Sequence, residues 1–203
     1  MNRTQRLILM LLLLGLPIAV AWFDLPVWAA ILLVLALLAT RQVMQMTVLV
    51  SRPTGPELEL ETILPSHFAE KGRWCLDRLG VDYRERRMGG LIGVFFTGRT
   101  VPMLTVQTGR TRSSICESSH ILRYLYGRFA PELGERAAFL EPTAERREWE
   151  HRLDQYGVFQ QVWIYHHLLK DPALCKEAWG AQSARLPLWQ RWTILVMYPF
   201  SKC

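Results

Sequence analysis

Three side chains that could do chemistry stand where the sequence predicts that helices begin. Ser66 opens one predicted helix, and the pair Glu117-Ser118 opens another. Free N–H groups and the helix dipole suit a helix N-terminus to an anion, and an acidic side chain there can meet a cationic group. Acidic and hydroxyl residues are also favoured at these positions as plain helix caps, with no ligand. The residue types alone therefore leave capping and anion binding open.

Sulfur and imidazole side chains show no arrangement that suits redox or metal chemistry. The four cysteines are Cys75, Cys116, Cys175 and Cys203. They form no CxxC pair and no metal-ligand spacing, which predicts that all four are reduced. His166 and His167 are adjacent and point to different sides of a helix, a poor geometry for two ligands of one metal. The sequence predicts no metal site.

The composition predicts a modest globular domain together with a more apolar part. The chain has 203 residues, half of them hydrophobic, and a net charge of +6. The apolar excess lies before Arg52, and the rest has the composition of an ordinary globular domain. Lys and Arg are nowhere clustered as in nucleic-acid-binding proteins, so no nucleic-acid partner is expected.

Two apolar runs predict a transmembrane helical hairpin within residues 1–50. They cover 7–23 and 25–43, short but sufficient for a hydrocarbon core about 30 Å thick, and Asp24-Leu25-Pro26 suits a tight turn. Flanking arginines predict an integral membrane protein in the lipid bilayer, with its soluble domain on the cytoplasmic side. The alternative is a signal peptide cleaved near Ala19-Val20-Ala21, which would not need the second run.

After a linker at 51–57, strands and helices alternate. Glu57 to Leu64 predicts a half-buried strand with one acidic face. Ser66 to Leu79 predicts a helix that Gly80 ends, with Trp74 among its inward-facing apolar residues. Further predicted elements are strands at Val81 to Arg86, Thr100 to Val106 and Thr111 to Ile115, a hairpin turn at Thr108-Gly109-Arg110, and a helix at Glu117 to Phe129.

The chain beyond Pro131 is predicted to be helical. The predicted helices are Thr143 to Leu169, Ala173 to Trp179 and Leu188 to Tyr198. Trp189, Trp192 and Tyr198 of the last helix suit a bundle core or a membrane interface, and core packing is favoured.

Three segments, in order and spacing, resemble the N-terminal, thioredoxin-like domain of cytosolic glutathione transferases. They are Ser66-His67-Phe68-Ala69-Glu70-Lys71-Gly72-Arg73-Trp74, Thr100-Val101-Pro102-Met103-Leu104 and Glu117-Ser118-Ser119-His120-Ile121-Leu122-Arg123-Tyr124-Leu125. The resemblance implies an α/β thioredoxin-like domain at 58–130 followed by an all-α domain at 131–203, preceded here by the transmembrane hairpin. That helical domain is shorter than is usual in the family, which leaves the second-substrate pocket incomplete or shared with another chain.

The resemblance further implies that glutathione is the ligand or co-substrate. Ser66 would be the catalytic hydroxyl, because donating a hydrogen bond to a thiolate lowers the thiol pKa. The implied glutathione-binding residues are Val101, Pro102, Glu117, Ser118 and Arg99. A cis Pro102 would turn the Val101 backbone towards the cysteinyl backbone of glutathione. Glu117 would meet the γ-glutamyl ammonium, the helix N-terminus its carboxylate, and Arg99 the glycyl carboxylate.

Two departures from related proteins narrow the chemistry. Ser66 and Ala69 occupy the places of the two cysteines of glutaredoxin-like relatives, so dithiol redox chemistry is not expected. His67 stands where many transferases have proline. Three functions stay open: conjugation of glutathione to apolar electrophiles, a non-catalytic binding module of the same fold, and a membrane-assembly factor. The resemblance is compatible with a homodimer.

Overall fold

The computed structural model describes residues 3–23, 25–45, 47–49, 57–63, 66–89, 92 and 101–198. The helices are α1 (Arg3–Trp22), α2 (Val27–Gln45), α3 (His67–Leu79), α4 (Ser118–Leu133), a 3₁₀ helix (Gly134–Leu140), α5 (Ala144–Leu168), α6 (Pro172–Ala178) and α7 (Leu188–Met197). The strands are β1 (Thr47–Leu49), β2 (Leu58–Ile63), β3 (Arg84–Met88), β4 (Met103–Thr108) and β5 (Thr111–Cys116). The chain divides into two units, one of Met1–Gly55 with Gln107–Ser114 and one of Pro56–Val106 with Ile115–Cys203. The domain boundaries predicted from the sequence stay a prediction.

The N-terminal helices do not form the predicted transmembrane hairpin. Within α1 the apolar run extends from Leu7 to Trp22. Within α2 it extends from Val27 to Ala39, ahead of Arg41. A span needs roughly 17–25 consecutive apolar residues, and neither run reaches that length. Among the helices of the described ranges, none combines the length and the apolar character needed to cross a membrane. The predicted spans at 7–23 and 25–43 are therefore wrong.

The predicted localisation fails for the same reason. An integral membrane protein with a domain on the cytoplasmic side requires a spanning segment, and the described helices supply none. Asp24 of the predicted turn and residues 51–56 of the predicted linker lie outside the described residues.

The strands form a mixed sheet in the order β1-β5-β4-β2-β3. β2 is parallel to β3, with Leu60 opposite Glu85, and antiparallel to β4, with Leu60 opposite Leu104. A parallel pair needs a long crossover connection, which α3 supplies. A β–α–β unit followed by a β-hairpin and a helix fits the predicted α/β, thioredoxin-like arrangement. The short strand β1, which the sequence did not predict, pairs antiparallel with β5.

Local sequence sets both ends of α3. Ser66 precedes the helix in an extended conformation, and its side chain accepts a hydrogen bond from the backbone N–H of Ala69. Gly80 ends the helix with φ 67° and ψ 33°, and its N–H bonds the carbonyls of Leu76 and Asp77. Glycine adopts this left-handed conformation without a steric penalty. The predicted start and end of the helix are confirmed.

The core of the second unit lies between the sheet and one face each of α3 and α4. Its fully buried members include Leu58, Leu60 and Leu104 from the strands, Leu76 and Leu79 from α3, and Ile121 and Leu125 from α4. Burying an aliphatic side chain of this size contributes about 1.5–3 kcal/mol. Because both helices are packed on the sheet through these side chains, their first residues are held next to the strand ends.

The acidic face predicted for β2 is buried. Glu59 is 5% exposed and Glu61 is 0% exposed. Strand β3 is rich in arginine, and Arg86 lies opposite Glu61 in the parallel register and 3.3 Å from the Glu59 carboxylate. A carboxylate tolerates burial when a cation accompanies it. The predicted half-buried strand is therefore wrong in its degree of burial: β2 is buried on both faces, because a neighbouring strand supplies the counter-charge to its acidic face.

The C-terminal helices begin at recognisable caps. The hydroxyl of Thr143 accepts from the N–H of Arg146 at 3.2 Å, and the Asp171 carboxylate accepts from the N–H of Ala173 at 2.8 Å. These caps start α5 and α6, and the three predicted helices are confirmed with small shifts at their ends. The sequence did not predict the 3₁₀ helix or the continuation of α4 through Pro131.

Helix α7 contacts the end of β3. The side chain of Gln190 is buried and accepts a hydrogen bond from the N–H of Gly89 at 2.9 Å. Tyr198 is buried, as core packing predicts, whereas Trp189 and Trp192 are exposed. The favoured core packing of these two tryptophans is therefore wrong.

Candidate functional site

Three of the predicted segments meet at one edge of the sheet. Strand β2 runs towards Ser66, and β4, antiparallel to it, begins just after Pro102. Strand β5 returns from the turn at Gly109-Arg110 and ends just before Glu117. Because the end of β2, the start of β4 and the end of β5 lie on the same side, the topology gathers Ser66, Pro102 and Glu117 at this edge. We call this region the sheet-edge site.

Ser66 holds the first position of the sheet-edge site as a helix cap. Its Oγ accepts from the Ala69 N–H at 3.2 Å, and the side chain is half-buried. A hydroxyl that accepts a hydrogen bond keeps its own proton for donation. The capping interpretation of Ser66 is thus confirmed, and the cap leaves the O–H able to donate to an anion.

Val101 and Pro102 line the entry of β4. The Val101-Pro102 peptide bond is cis, as predicted from the family resemblance. Pro102 is buried, and a Cβ added at Gly72 of α3 would lie 3.6 Å from its Cγ. The start of β4 therefore packs against the middle of α3, while Val101 is half-buried.

Glu117 and Ser118 begin α4 in an unusual backbone conformation. Glu117 has φ 69° and ψ 136°, and among the described residues other than glycine no other has a positive φ. Its side chain is exposed and makes no capping hydrogen bond, whereas Ser118 is buried. A non-glycine residue in such a region costs on the order of 1–3 kcal/mol and is found preferentially at functional sites. Simple capping does not require this conformation, so it does not explain Glu117.

His67, the residue after Ser66, lies against α5. A Cβ added at Gly157 would come within 2.5 Å of the His67 Nε2 atom, so the glycine makes room for the imidazole. Burial lowers the pKa of His67, and the nearby carboxylate of Asp154 partly opposes that effect. The sequence marked His67 as a departure from the family but did not indicate this contact.

The structure describes only some of the remaining residues that the sequence analysis singled out, which are Arg99 and the four cysteines. Arg99 lies outside the described residues, so its proposed role stays a prediction. Cys75, Cys116 and Cys175 are free thiols, as predicted, and Cys203 lies outside the described residues.

A cleft of about 490 Å³ lies elsewhere in the same unit, between α3, α4, the 3₁₀ helix and α5. Of the predicted catalytic and glutathione-binding residues that the structure describes, none lines it. Trp74 does, and it is 54% exposed, which corrects its predicted inward orientation. Burial raises the pKa of Cys75, also in the lining, to about 11, with the charges around it making smaller changes. The sequence missed this cleft because its walls come from four separated segments.

Comparisons with known proteins add little to this geometry. No protein-family model and no curated protein matches the chain. A crystal structure of a possible glutathione S-transferase from Rhodopseudomonas palustris is similar to it, with 22% identity, a TM-score of 0.32, and coverage of 70% of this chain and 69% of the other. A likeness this distant assigns neither fold nor activity. The fold class rests on the topology of the chain itself, a β–α–β unit followed by a β-hairpin and a helix.

Proposed function

We propose that the sheet-edge site binds glutathione and that Ser66 activates its thiol. The observation that carries the proposal is Glu117, held at φ 69° at the start of α4 with an exposed carboxylate that caps nothing. This conformation presents an unused carboxylate next to the free N–H groups of a helix N-terminus. The α-amino acid end of glutathione carries the matching ammonium and carboxylate, so one group meets Glu117 and the other meets the helix.

The rest of glutathione would follow the edge of the sheet. The Val101 backbone, at the entry of β4, would pair with the cysteinyl backbone in the manner of an added strand. That pairing would direct the thiol towards Ser66 at the start of α3. The Ser66 hydroxyl would donate to the thiolate, and the helix dipole of α3 would favour the same negative charge.

In the proposed reaction the thiol loses its proton to solvent, and the thiolate attacks an electrophilic carbon. A sulfur–carbon bond forms, and the leaving group departs with the electron pair of the bond that breaks. The residues at 66 and 69 are serine and alanine, so no dithiol is present there to exchange disulfides. Conjugation, rather than thiol–disulfide exchange, is therefore the chemistry that these positions support.

Binding without turnover is the second candidate. The Ser66 Oγ already accepts the Ala69 N–H, and that capping role alone is enough to retain a serine. Conjugation of glutathione to an activated nitroaryl chloride, followed by absorbance, separates the two candidates. Product formation above the uncatalysed rate supports the first, and bound glutathione without product supports the second.

Calorimetric titration of the full chain with glutathione tests the binding proposal. The Glu117→Gln variant removes the charge and should weaken binding by roughly 1.5–3 kcal/mol, about ten- to a hundredfold. Glu132→Gln is the matched control, because Glu132 is an exposed glutamate near the other end of α4, ion-paired with Arg128. Unchanged affinity in the Glu117 variant, or no binding by the parent chain, would refute the proposal.

A further inference from the structure

Three aromatic side chains, Trp74, Phe139 and Trp149, line the cleft described above. Trp74 of α3 and Phe139 of the 3₁₀ helix meet edge to face, with ring centroids 5.5 Å apart. The Arg78 guanidinium lies 5.0 Å from the Trp74 centroid and 4.6 Å from that of Phe139, which braces both rings. Trp149 of α5 supplies another wall and is 56% exposed. Large aromatic surfaces left open to water in a concave site favour a flat apolar ligand.

Most of the charges lining the cleft are already satisfied within the protein. Lys71 Nζ lies 2.7 Å from the Glu150 carboxylate and 3.1 Å from that of Asp154. The Arg146 guanidinium donates to the carbonyl oxygens of Ala138 and Glu141. These groups hold α5 against α3 and against the 3₁₀ helix, and they have little capacity left for a ligand.

Two cations in the lining are not satisfied in this way. The side chains of Arg123 in α4 and Arg147 in α5 are exposed, and their guanidinium groups form no hydrogen bond or ion pair with any residue that the structure describes. Among the described carboxylates of the lining, the Glu145 side chain is likewise exposed and has no hydrogen-bond or ion-pair partner. The unsatisfied charge of the cleft is therefore positive on balance, which complements an anion.

We propose that the cleft binds a flat aromatic molecule that carries one carboxylate or sulfonate group. The ring system would lie along Trp74, Phe139 and Trp149, and the acidic group would meet Arg123 or Arg147. Arginine suits this role because its planar guanidinium donates two parallel hydrogen bonds to a carboxylate. The cleft volume of about 490 Å³ is in the range of small-molecule sites, roughly 300–1,000 Å³.

Binding in the cleft would be non-covalent and separate from the sheet-edge site. The Cys75 thiol in the lining stays protonated at neutral pH, because burial raises its pKa to about 11, so it does not attack a ligand. Lys71 is the residue of α3 nearest to Ser66 that lines the cleft, and at 1.5 Å per residue it lies about 7.5 Å further along the helix axis. The proposal does not rest on glutathione binding.

Calorimetric titration with naphthoate and with neutral naphthalenemethanol tests the proposal. Naphthoate should bind at least tenfold more tightly than naphthalenemethanol. Added salt should weaken the binding of naphthoate but not that of the alcohol, because exposed charge pairs are screened. The Arg123→Gln and Arg147→Gln changes should each weaken naphthoate about three- to tenfold, and the double variant should bind naphthoate no better than the alcohol. Trp149→Ala should weaken both probes.

Arg84→Gln is the matched control, because Arg84 is an exposed arginine on β3 outside the cleft. This variant should bind naphthoate with the affinity of the parent chain. Saturating glutathione should also leave the affinity of the parent chain for naphthoate unchanged. Equal affinity for the two probes, or full naphthoate affinity in the double arginine variant, would overturn the proposal. Competition with glutathione would also overturn it, because it would place the ligand at the sheet-edge site. Melting temperatures of the variants show whether each is folded.

Discussion

At the scale of single residues, Ser66 and Glu117 begin helices in different ways. Ser66 has an ordinary extended backbone, and its side chain satisfies an N–H of the first turn. Glu117 has a positive φ and an exposed side chain that satisfies none. The Ser66 side chain therefore stabilises its helix, whereas Glu117 is held in a costly conformation and its side chain makes no capping hydrogen bond.

The Glu117→Gly variant separates the stability of this position from its proposed role in binding. Glycine adopts positive φ freely, so relief of strain should raise the free energy of unfolding by about 1 kcal/mol. The same change removes the carboxylate and should weaken glutathione binding about ten- to a hundredfold. Thermal unfolding and calorimetry on one preparation measure both effects. A variant that is less stable than the parent would show that the backbone at Glu117 is not strained.

The Ser66→Ala variant tests whether the hydroxyl does more than cap α3. Loss of the cap should cost about 1 kcal/mol of stability. If Ser66 also stabilises the thiolate, the bound thiol should titrate at higher pH and conjugation should slow, with nearly unchanged affinity for glutathione. Thr143→Ala, which removes the cap of α5, should cost similar stability without changing conjugation. Equal loss of conjugation in both variants would assign Ser66 a capping role only.

At the scale of elements, α3 and α5 are joined by contacts that begin beside Ser66. The His67 ring lies over Gly157, and Lys71, one turn further along α3, pairs with Asp154 and Glu150. Glycine inside a helix costs about 1 kcal/mol relative to alanine. The close approach of the imidazole explains why α5 has glycine at this point.

The cost of that glycine can be measured against Gly127, a glycine of α4 with no atom near an added Cβ. Gly127→Ala should stabilise the protein by about 0.5–1 kcal/mol through helix propensity. Gly157→Ala should give no such gain, because its Cβ displaces His67, and it should recover the gain in a His67→Ala background. Chemical denaturation of the four variants gives the coupling. Equal gains at both glycines in the parent background would contradict the contact.

The ends of helices could be predicted from the sequence where a capping residue determines them. Ser66 and Gly80 determine the ends of α3, and Thr143 starts α5, because a cap acts on its own first or last turn. The burial of Glu61, the pairing of β1 and the cleft depend on segments distant in sequence, which no local pattern reveals. The sheet-edge positions were found through a family resemblance, and the strained backbone of Glu117 is visible only in the structure.

At the scale of the whole molecule, positive charges outnumber negative ones, so the carboxylates that pair with cations contribute to the stability of the fold. The chain has a net charge of +6, and further protonation at low pH increases self-repulsion. Glu85 of β3 joins several elements, because Arg73 of α3, Thr62 of β2 and Arg87 all donate to its carboxylate at 2.6–2.9 Å. Its protonation would loosen α3 from the sheet.

Stability should therefore fall with pH through Glu85. Burial by itself would raise the pKa of Glu85, but the hydrogen bonds from Arg87, Arg73 and Thr62 outweigh burial and lower it below its ordinary value of 4.5. A carboxylate with a lowered folded-state pKa contributes stability above its unfolded pKa, and that contribution is lost as the pH falls through the folded value. Glu85→Gln should cost about 1–3 kcal/mol at pH 7, and the difference from the parent should shrink below about pH 4.5. Urea denaturation at a series of pH values measures it, with the exposed Glu132→Gln as control. A difference that stays constant down to pH 3 would show that Glu85 does not stabilise the fold as a carboxylate.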